Sequence, residues 1–365
     1  MASLLGYCRA GYEPDLANEI TARAAQLECY GYPKFTTGEG FITYECYNPQ
    51  DADKLGRLLT VESTIFARQL VVITTELQGL DKQDRLAPVL ESIIGHDNPE
   101  MKNGVLYVEH ADTDAGKDLA KFCRKFTVVL RQALRKNQCL TFKEQQNGRG
   151  IHVFFTDFDT CMVGYTYPQS RTLHANGIYR LKFPASAPSR STLKLEEAIL
   201  TMLSPAQQEL VFRPGARAVD LGACPGGWTY QLVQREMYVE AIDNGLIDDA
   251  LMATGLVEHF AADGFTYKPQ FGRVDLLVCD MIEQPDRVAR LMGDWLVKKW
   301  ADHAIFNLKL PMKRRYETVV EAMDDLQARL HELKDRFDVH LRHLYHDRDE
   351  ITVSVIRVSQ NSYYN

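Results

Sequence analysis

The chain has 365 residues, 45% of them hydrophobic and 25% charged, and a net charge of −7. At roughly 100–200 residues per domain this length predicts two or three domains, each able to bury a core. The composition excludes disordered, collagen-like and coiled-coil classes, no apolar run reaches the about 18 residues of a membrane span, and any nucleic-acid binding by so acidic a chain must come from local basic patches.

The first third reads as small α+β units. Residues 3–9 form a short apolar strand. Residues 13–28 follow as a helix, with Leu16, Ile20, Ala24 and Leu27 on one face at helical spacing. A strand at 40–47, a helix at 51–59 and a strand at 67–74 complete a ferredoxin-like unit over residues 1–75. A second unit spans 76–168, with strands at 106–109 and 151–156. Between them, 117–136 reads KDLAKFCRKFTVVLRQALRK. This helix sets Lys117, Lys121, Arg124, Lys125, Arg131, Arg135 and Lys136 against one acid, Asp118. Leu119, Phe122, Phe126 and Leu130 form its core side. In an acidic chain such a bias marks a phosphate-facing surface.

No acidic residue occurs from Thr160 to Leu195, while Arg171, Arg180, Lys182, Arg190 and Lys194 do, with Pro168, Pro184 and Pro188. The stretch reads as a basic, proline-punctuated linker, placed at 169–188, ahead of a last domain at 189–365. That domain alternates strand and helix, with strands at 216–221, 238–242, 274–279, 304–310 and 351–358. Alternation of this kind predicts a mostly parallel, doubly wound sheet. Eight scattered cysteines without a CxxC pair predict buried thiols, with neither a metal site nor a disulfide framework. The start, MASLLGYCRAGYEPD, has no basic segment followed by a long apolar one, so a cytoplasmic chain is expected.

The strongest local signal is Ala218-Val-Asp-Leu-Gly-Ala-Cys-Pro-Gly-Gly-Trp-Thr229, between a strand and a helix. Such a turn presents backbone N–H groups and lets a ligand approach closely. It is not GxGxxG, which disfavours a nicotinamide dehydrogenase. Asp220 precedes the first glycine, Gly222, and a carboxylate there suits a ligand with a cationic end, as in S-adenosylmethionine (SAM). Asp243, Asp263 and Asp280 follow at successive strand ends, along the carboxyl edge where such sheets bind ligands. Any one of them alone would read as a helix cap. Four in series with the Pro225-Gly226-Gly227 turn read as a cofactor site.

The reactive residues near the sheet edge are not of an amine-methylating type, since Asp280-Met-Ile-Glu is neither DPPY nor NPPY. Cys279 and Cys224 lie where packing thiols are expected. Instead, Lys194 opens the helix before the first strand, Lys309 ends the fifth strand, and Glu350 begins the last. If the last strand runs antiparallel, its start meets the carboxyl ends of the others. Lys194, Asp280, Lys309 and Glu350 then share one pocket. The basic helix and the acid-free linker count against a small-molecule substrate.

These segments resemble the ribose 2′-O-methyltransferases with a Lys-Asp-Lys-Glu tetrad, and most closely the RlmM family of bacterial 23S rRNA (cytidine-2′-O)-methyltransferases. The resemblance is carried by FCRKFTV, RLKFPASAPSRSTLKLEEA, VDLGACPGGWTYQLV, DNG, DGF, VCDM, FNLKLPMK and LYHDRDEITV. It implies an amino-terminal THUMP module with a ferredoxin-like part that binds RNA, and a Rossmann-fold methyltransferase domain. It implies SAM contacts from Ser191, Cys224, Pro225, Gly226, Gly227, Asp243, Asp263 and Asp280, with Asp220, Gly222 and Trp228 in the same turn. Lys309 is then the proton acceptor, with Lys194 as the second cation that eases its deprotonation. RNA contacts are expected from Lys121, Arg124, Lys125, Arg131, Arg135, Arg180, Lys313 and Arg314, and base stacking from Tyr165, Tyr167, Tyr179 or Trp228. The implied partner is 23S rRNA or an early large-subunit precursor, met by a monomer without metal or membrane. A SAM-binding assembly factor without catalysis is the alternative.

Overall fold

The computed structural model describes residues 2–96, 103–333 and 335–358. The chain divides into two compact units between Ile178 and Tyr179.

In chain order the first unit contains β1 (Ser3–Tyr7), α1 (Glu13–Gln26), β2 (Gly31–Lys34), β3 (Phe41–Cys46), α2 (Pro49–Leu58), β4 (Gln69–Leu77), α3 (Leu86–Gly95), β5 (Asn103–His110), α4 (Asp114–Lys136), β6 (Arg149–Phe155) and β7 (Cys161–Thr166). Among the described residues these strands form one seven-stranded sheet, in the order β2-β3-β1-β4-β7-β6-β5. Only β5 and β6 pair in parallel within it. The ferredoxin-like strands and the strands of residues 76–168 are therefore not separate sheets. They are joined edge to edge where β4 pairs with β7.

Strand β7 lies in the acid-free stretch that begins at Thr160, just ahead of the linker expected at 169–188. Its run CMVGYT is almost fully buried and carries a central glycine, so it shows no alternation to mark it as a strand. The residues after it are also held. Arg171 is buried, and its Nη2 donates to the carbonyls of Gln146 (2.6 Å) and Gly148 (2.8 Å). The basic residue at 171 thus serves the interior of the first unit. Strand β2 and helix α3 likewise have no strong periodic pattern and go unread in the sequence. The basic helix α4 begins three residues early, where the Thr113 hydroxyl accepts from Gly116 N. Leu119, Cys123, Phe126, Leu130 and Leu134 form its buried stripe.

The second unit runs α5 (Thr192–Met202), α6 (Pro205–Val211), β8 (Arg217–Leu221), α7 (Gly227–Val233), β9 (Tyr238–Ile242), α8 (Asp249–Met252), β10 (Val257–Phe260), β11 (Val274–Cys279), α9 (Pro285–Val297), β12 (Ala301–Lys309), α10 (Arg315–His331), β13 (Arg336–Arg342) and β14 (Glu350–Val358). Its sheet has the order β10-β9-β8-β11-β12-β14-β13. The five strands from β10 to β12 are parallel. Strand β14 runs antiparallel to both neighbours. This is the Rossmann-like sheet with a reversed last strand. Strands such as Val274–Cys279 (VDLLVC) are near-continuous apolar runs because helices cover both faces. Leu276, Val278, Ile305 and Ile356 meet Leu195, Ile199 and Leu232 in the core. The strand expected ahead of Asp263 is the four-residue β10, whereas the half-exposed β13 carries too little pattern to be read in the sequence.

No helix among the described residues is long and apolar enough to cross a membrane. Among them there is also no group of three or more His, Cys, Asp or Glu side chains placed to hold a metal ion.

Candidate active site

Strand β8 delivers the glycine turn to the carboxyl edge of the sheet. Gly222 has φ +79°, and a Cβ there would lie 2.7 Å from Met281 Cγ. A Cβ at Gly227, where α7 begins, would lie 2.0 Å from Ser191 Oγ. Both positions require glycine, one for its left-handed backbone and the other for close approach. Ser191 is thus brought against the turn, with its Oγ 2.6 Å from Ser189 Oγ. Pro225 and Cys224 are exposed in the same loop, while Gly226 is buried.

Asp243, just past β9, uses one oxygen to hold the turn and the other to hold its own loop. Its Oδ2 accepts from Cys224 N (3.0 Å) and its Oδ1 from Gly245 N (2.8 Å). Asp263 is exposed after β10, and its Oδ1 accepts from Phe265 N (2.9 Å). Asp220 is 1% exposed. Its Oδ2 accepts from Thr229 Oγ1 at 2.6 Å, whereas its Oδ1 is buried with no hydrogen-bond partner among the described residues. Burial, aided by the charge of Asp280, pushes its carboxyl up to about 7 despite the Thr229 hydrogen bond. An orphaned carboxylate oxygen beneath a glycine cradle, with acids at three further strand ends, fits SAM. SAM, with its cationic sulfur, amino group and ribose hydroxyls, would find partners of matching chemistry in these acids.

Two placements differ from expectation. Trp228 is buried in the core cluster, so its ring is not offered to a base. Of the eight cysteines all but Cys224 are buried, so Cys279 is a packing thiol and Cys224 is not. The Cys224 thiol donates to Leu246 O at 3.3 Å on the exposed side of the turn.

The four reactive candidates converge. Lys309, the last residue of β12, is paired in register with Glu350, the first of β14. Lys309 Nζ donates to Glu350 Oε2 at 2.5 Å. Lys194 Nζ, from the first turn of α5, lies 2.5 Å from Glu350 Oε1 and 3.1 Å from Asp280 Oδ2. The row Lys309–Glu350–Lys194–Asp280 alternates in charge and sums to zero. The two lysines do not face each other, because Glu350 stands between them. Burial disfavours a charged Lys194, yet Asp280 and Glu350 outweigh it and hold its pKa above the ordinary lysine value. Burial also opposes a charged Glu350, but hydrogen bonds from Lys194 and Lys309 bring its pKa below the usual glutamate range.

Several members of this site carry no motif of their own. Asn307 Nδ2 donates to Asp280 Oδ1 at 2.8 Å. Glu197, one helical turn after Lys194, is buried and receives the N–H groups of Tyr345 (2.9 Å) and His346 (2.8 Å). It thereby pins the loop that leads into Glu350 to the helix that carries Lys194. The spacing from Lys194 to Glu197 is the signal that could have found it, because residues three apart share a helix face.

The expected RNA contacts are mixed in their surroundings. Lys121, Arg124 and Lys125 are exposed on α4. Arg131 and Arg135 are half-buried; Arg131 pairs with Glu144 at 3.4 Å, and Arg135 Nε donates to Thr141 O. Arg180 is exposed, its guanidinium 5.0 Å from the Tyr345 ring centre. Lys313 and Arg314 are exposed after β12, with Arg314 3.3 Å from Glu321. Tyr165 and Tyr167 both donate their hydroxyls to Asp53, at 2.7 and 2.6 Å, and are half-buried, as is Tyr179.

A Rossmann-like sheet with a reversed last strand, a glycine turn after its first strand and acids at the following strand ends defines a SAM-dependent methyltransferase domain. The FtsJ-like methyltransferase model matches residues 187–310. The RlmM ferredoxin-like domain matches 1–71, and the N-terminal model of ribosomal RNA large subunit methyltransferase M matches 84–167. The chain is 59% identical to "Ribosomal RNA large subunit methyltransferase M" of Alteromonas mediterranea, over 98% of each chain. It is 49% identical to the protein of the same name from Pseudoalteromonas atlantica, over 97% of this chain and 98% of that one. The chain belongs to the ribosomal RNA large subunit methyltransferase M family, as the resemblance implied.

Proposed function

We propose that this methyltransferase modifies the ribose 2′-hydroxyl of a single cytidine in 23S rRNA, or in an early large-subunit precursor, acting as a monomer in the cytoplasm. The large-subunit rRNA substrate is supported by the names of the relatives, and the cytidine by the family resemblance. The single observation that carries the ribose assignment is the alternating row Lys309–Glu350–Lys194–Asp280. A SAM-binding assembly factor without catalysis has no need of four partly or fully buried charges in such a row.

The division of labour follows from the surroundings. A ribose hydroxyl is a weak nucleophile until its proton is removed. Lys194 is held charged between two carboxylates, so it serves as a fixed cation that orients Asp280 and Glu350. Lys309 is the most accessible of the four, at 27% side-chain exposure against 13% for Lys194. In its neutral amine form its Nζ takes the hydroxyl proton and becomes the ammonium that pairs with Glu350, which aims it. When bound, SAM supplies the methyl group on a positively charged sulfur. In this reading Asp220, Asp243, Asp263, Ser191 and the 222–227 turn hold the cofactor. Residues 1–75 and 76–168 form the RNA-binding module, with a basic connection at 169–188 and the methyltransferase domain at 189–365.

The test is Lys309→Ala, which should lower methyl transfer by roughly 10²-fold or more while SAM affinity stays within a few-fold. Near-normal turnover by that variant would remove Lys309 from the chemistry.

A further inference from the structure

Behind the charged row lies a second, uncharged row on the same face of the β12–β14 pair. Asn307 stands two residues before Lys309 and is in register with Thr352, as Lys309 is with Glu350. Alternate residues of a strand share a face. Asn307, Thr352 and Asp347 are all fully buried. Asn307 Nδ2 donates to Asp280 Oδ1 at 2.8 Å, and Thr352 Oγ1 lies 2.8 Å from Asn307 Oδ1. The same hydroxyl oxygen lies 3.2 and 3.0 Å from the two oxygens of Asp347.

A hydroxyl has one hydrogen, so it cannot donate to Asn307 and Asp347 together. The conflict disappears when Asp347 carries a proton. Burial, with the nearby charges of Glu350 and Glu197, raises the Asp347 carboxyl well above the usual range, against the hydrogen bond from Leu344 N (3.1 Å) and the charge of Lys194. Asp347 then donates to Thr352, Thr352 donates to Asn307 Oδ1, and the amide has one orientation left, with Nδ2 toward Asp280. The chain of donors runs in one direction, from Asp347 to the carboxylate that holds Lys194.

We propose that Asn307 and Thr352 are positioning residues for methyl transfer, locking Asp280, and through it Lys194, in the orientation that the reaction uses. The inference rests on the reading of the Lys309–Glu350–Lys194–Asp280 row as catalytic. Asn307 and Thr352 reach the charged row only through Asp280. Their contribution lies in the rate of the chemical step, not in the binding of RNA or SAM. Supporting groups of this kind typically change activity by about ten- to hundredfold.

The test compares Thr352→Val, which keeps the shape and removes the hydroxyl, with Thr352→Ser, which restores it. Steady-state kinetics on rRNA, the SAM dissociation constant and the melting temperature are measured for both. Thr352→Val should lower kcat about tenfold or more with little change in KM or SAM affinity, and Thr352→Ser should recover most of the loss. Equal kcat for the two variants would overturn the proposal. Should Thr352→Val not fold, the same comparison is made with Asn307→Ser alone and combined with Thr352→Ala. Losses that fail to add indicate one shared row, and fully additive losses contradict it. Lys309→Ala is run alongside. If that variant stays active the catalytic reading fails, whereas a dead Lys309→Ala beside an unaffected Thr352→Val sinks the positioning row alone.

Discussion

Lys309 and Glu350 face each other directly across the antiparallel β12–β14 pair, with Nζ 2.5 Å from Oε2. The other oxygen of the same carboxylate holds Lys194. One glutamate therefore sets both lysines, and only the reversal of the last strand makes this possible. In an all-parallel sheet the first residue of β14 would lie at the opposite edge from the last residue of β12.

Glu350→Gln keeps the side-chain shape and removes the shared charge. Lys309 loses its aiming partner, and Lys194 is left with Asp280 alone. Methyl transfer should fall by roughly 10²-fold or more, with SAM affinity within a few-fold of the parent. Single-turnover methylation together with equilibrium SAM binding checks this. A parallel loss of both would mean that Glu350 shapes the cofactor site and not the nucleophile side.

Asp220 makes a pH-dependent contribution to stability whose sign can be worked out. Its carboxyl titrates near 7 when folded, against an ordinary value of 3.8. The folded state binds that proton more tightly than the unfolded chain. Its stabilising effect is therefore complete below about 3.8 and is lost as the pH rises to about 7. Asp220→Asn removes the titration. The variant should gain stability over the parent across that window, by on the order of a few kcal/mol above it, and the gap should then stay level. Melting temperatures of the two proteins, measured without SAM from pH 4 to 8, decide the matter. Curves that stay parallel throughout would contradict a buried, orphaned Asp220.

Much of this site is legible in the sequence because chemistry sits at strand ends. Asp220, Asp243, Asp280, Lys309 and Glu350 each close or open a strong apolar run, and the sheet gathers such residues at one edge. Lys194 is legible through its helix, which directly precedes the first strand. The buried row is not. Asn307 and Thr352 sit mid-strand with no motif, and only the register of β12 against β14 shows that they meet. In the first unit the continuous sheet was hidden for a different reason. Its joining strand β7 lies in an acid-free, proline-flanked stretch whose composition suggests a linker, and burial on both faces erases the period of two. Composition likewise marks α4 as basic without telling which cations are exposed, and Arg131 and Arg135 turn out to be half-buried, held by Glu144 and Thr141.

That distinction gives a prediction for RNA. Lys121, Arg124 and Lys125 are exposed on α4. Reversing all three to Glu should weaken rRNA binding and lower the slope of log affinity against log salt by about two to three, near one for each phosphate no longer neutralised. Reversing Arg131 and Arg135 should change that slope less. Binding measured from low to moderate salt supplies the comparison. Unchanged affinity of the triple variant at low salt would mean that α4 does not face RNA.

In the proposed reaction the methyl group goes to a ribose oxygen. The most direct measurement is transfer of label from SAM to unmodified large-subunit rRNA, followed by alkaline hydrolysis. A 2′-O-methyl group blocks cleavage at its own nucleotide. Ribose methylation predicts label in an alkali-resistant dinucleotide, with cytidine as its 5′ nucleoside. Label released in mononucleotides would place the methyl group on a base and contradict the assignment of Lys309, Glu350, Lys194 and Asp280 to a ribose hydroxyl.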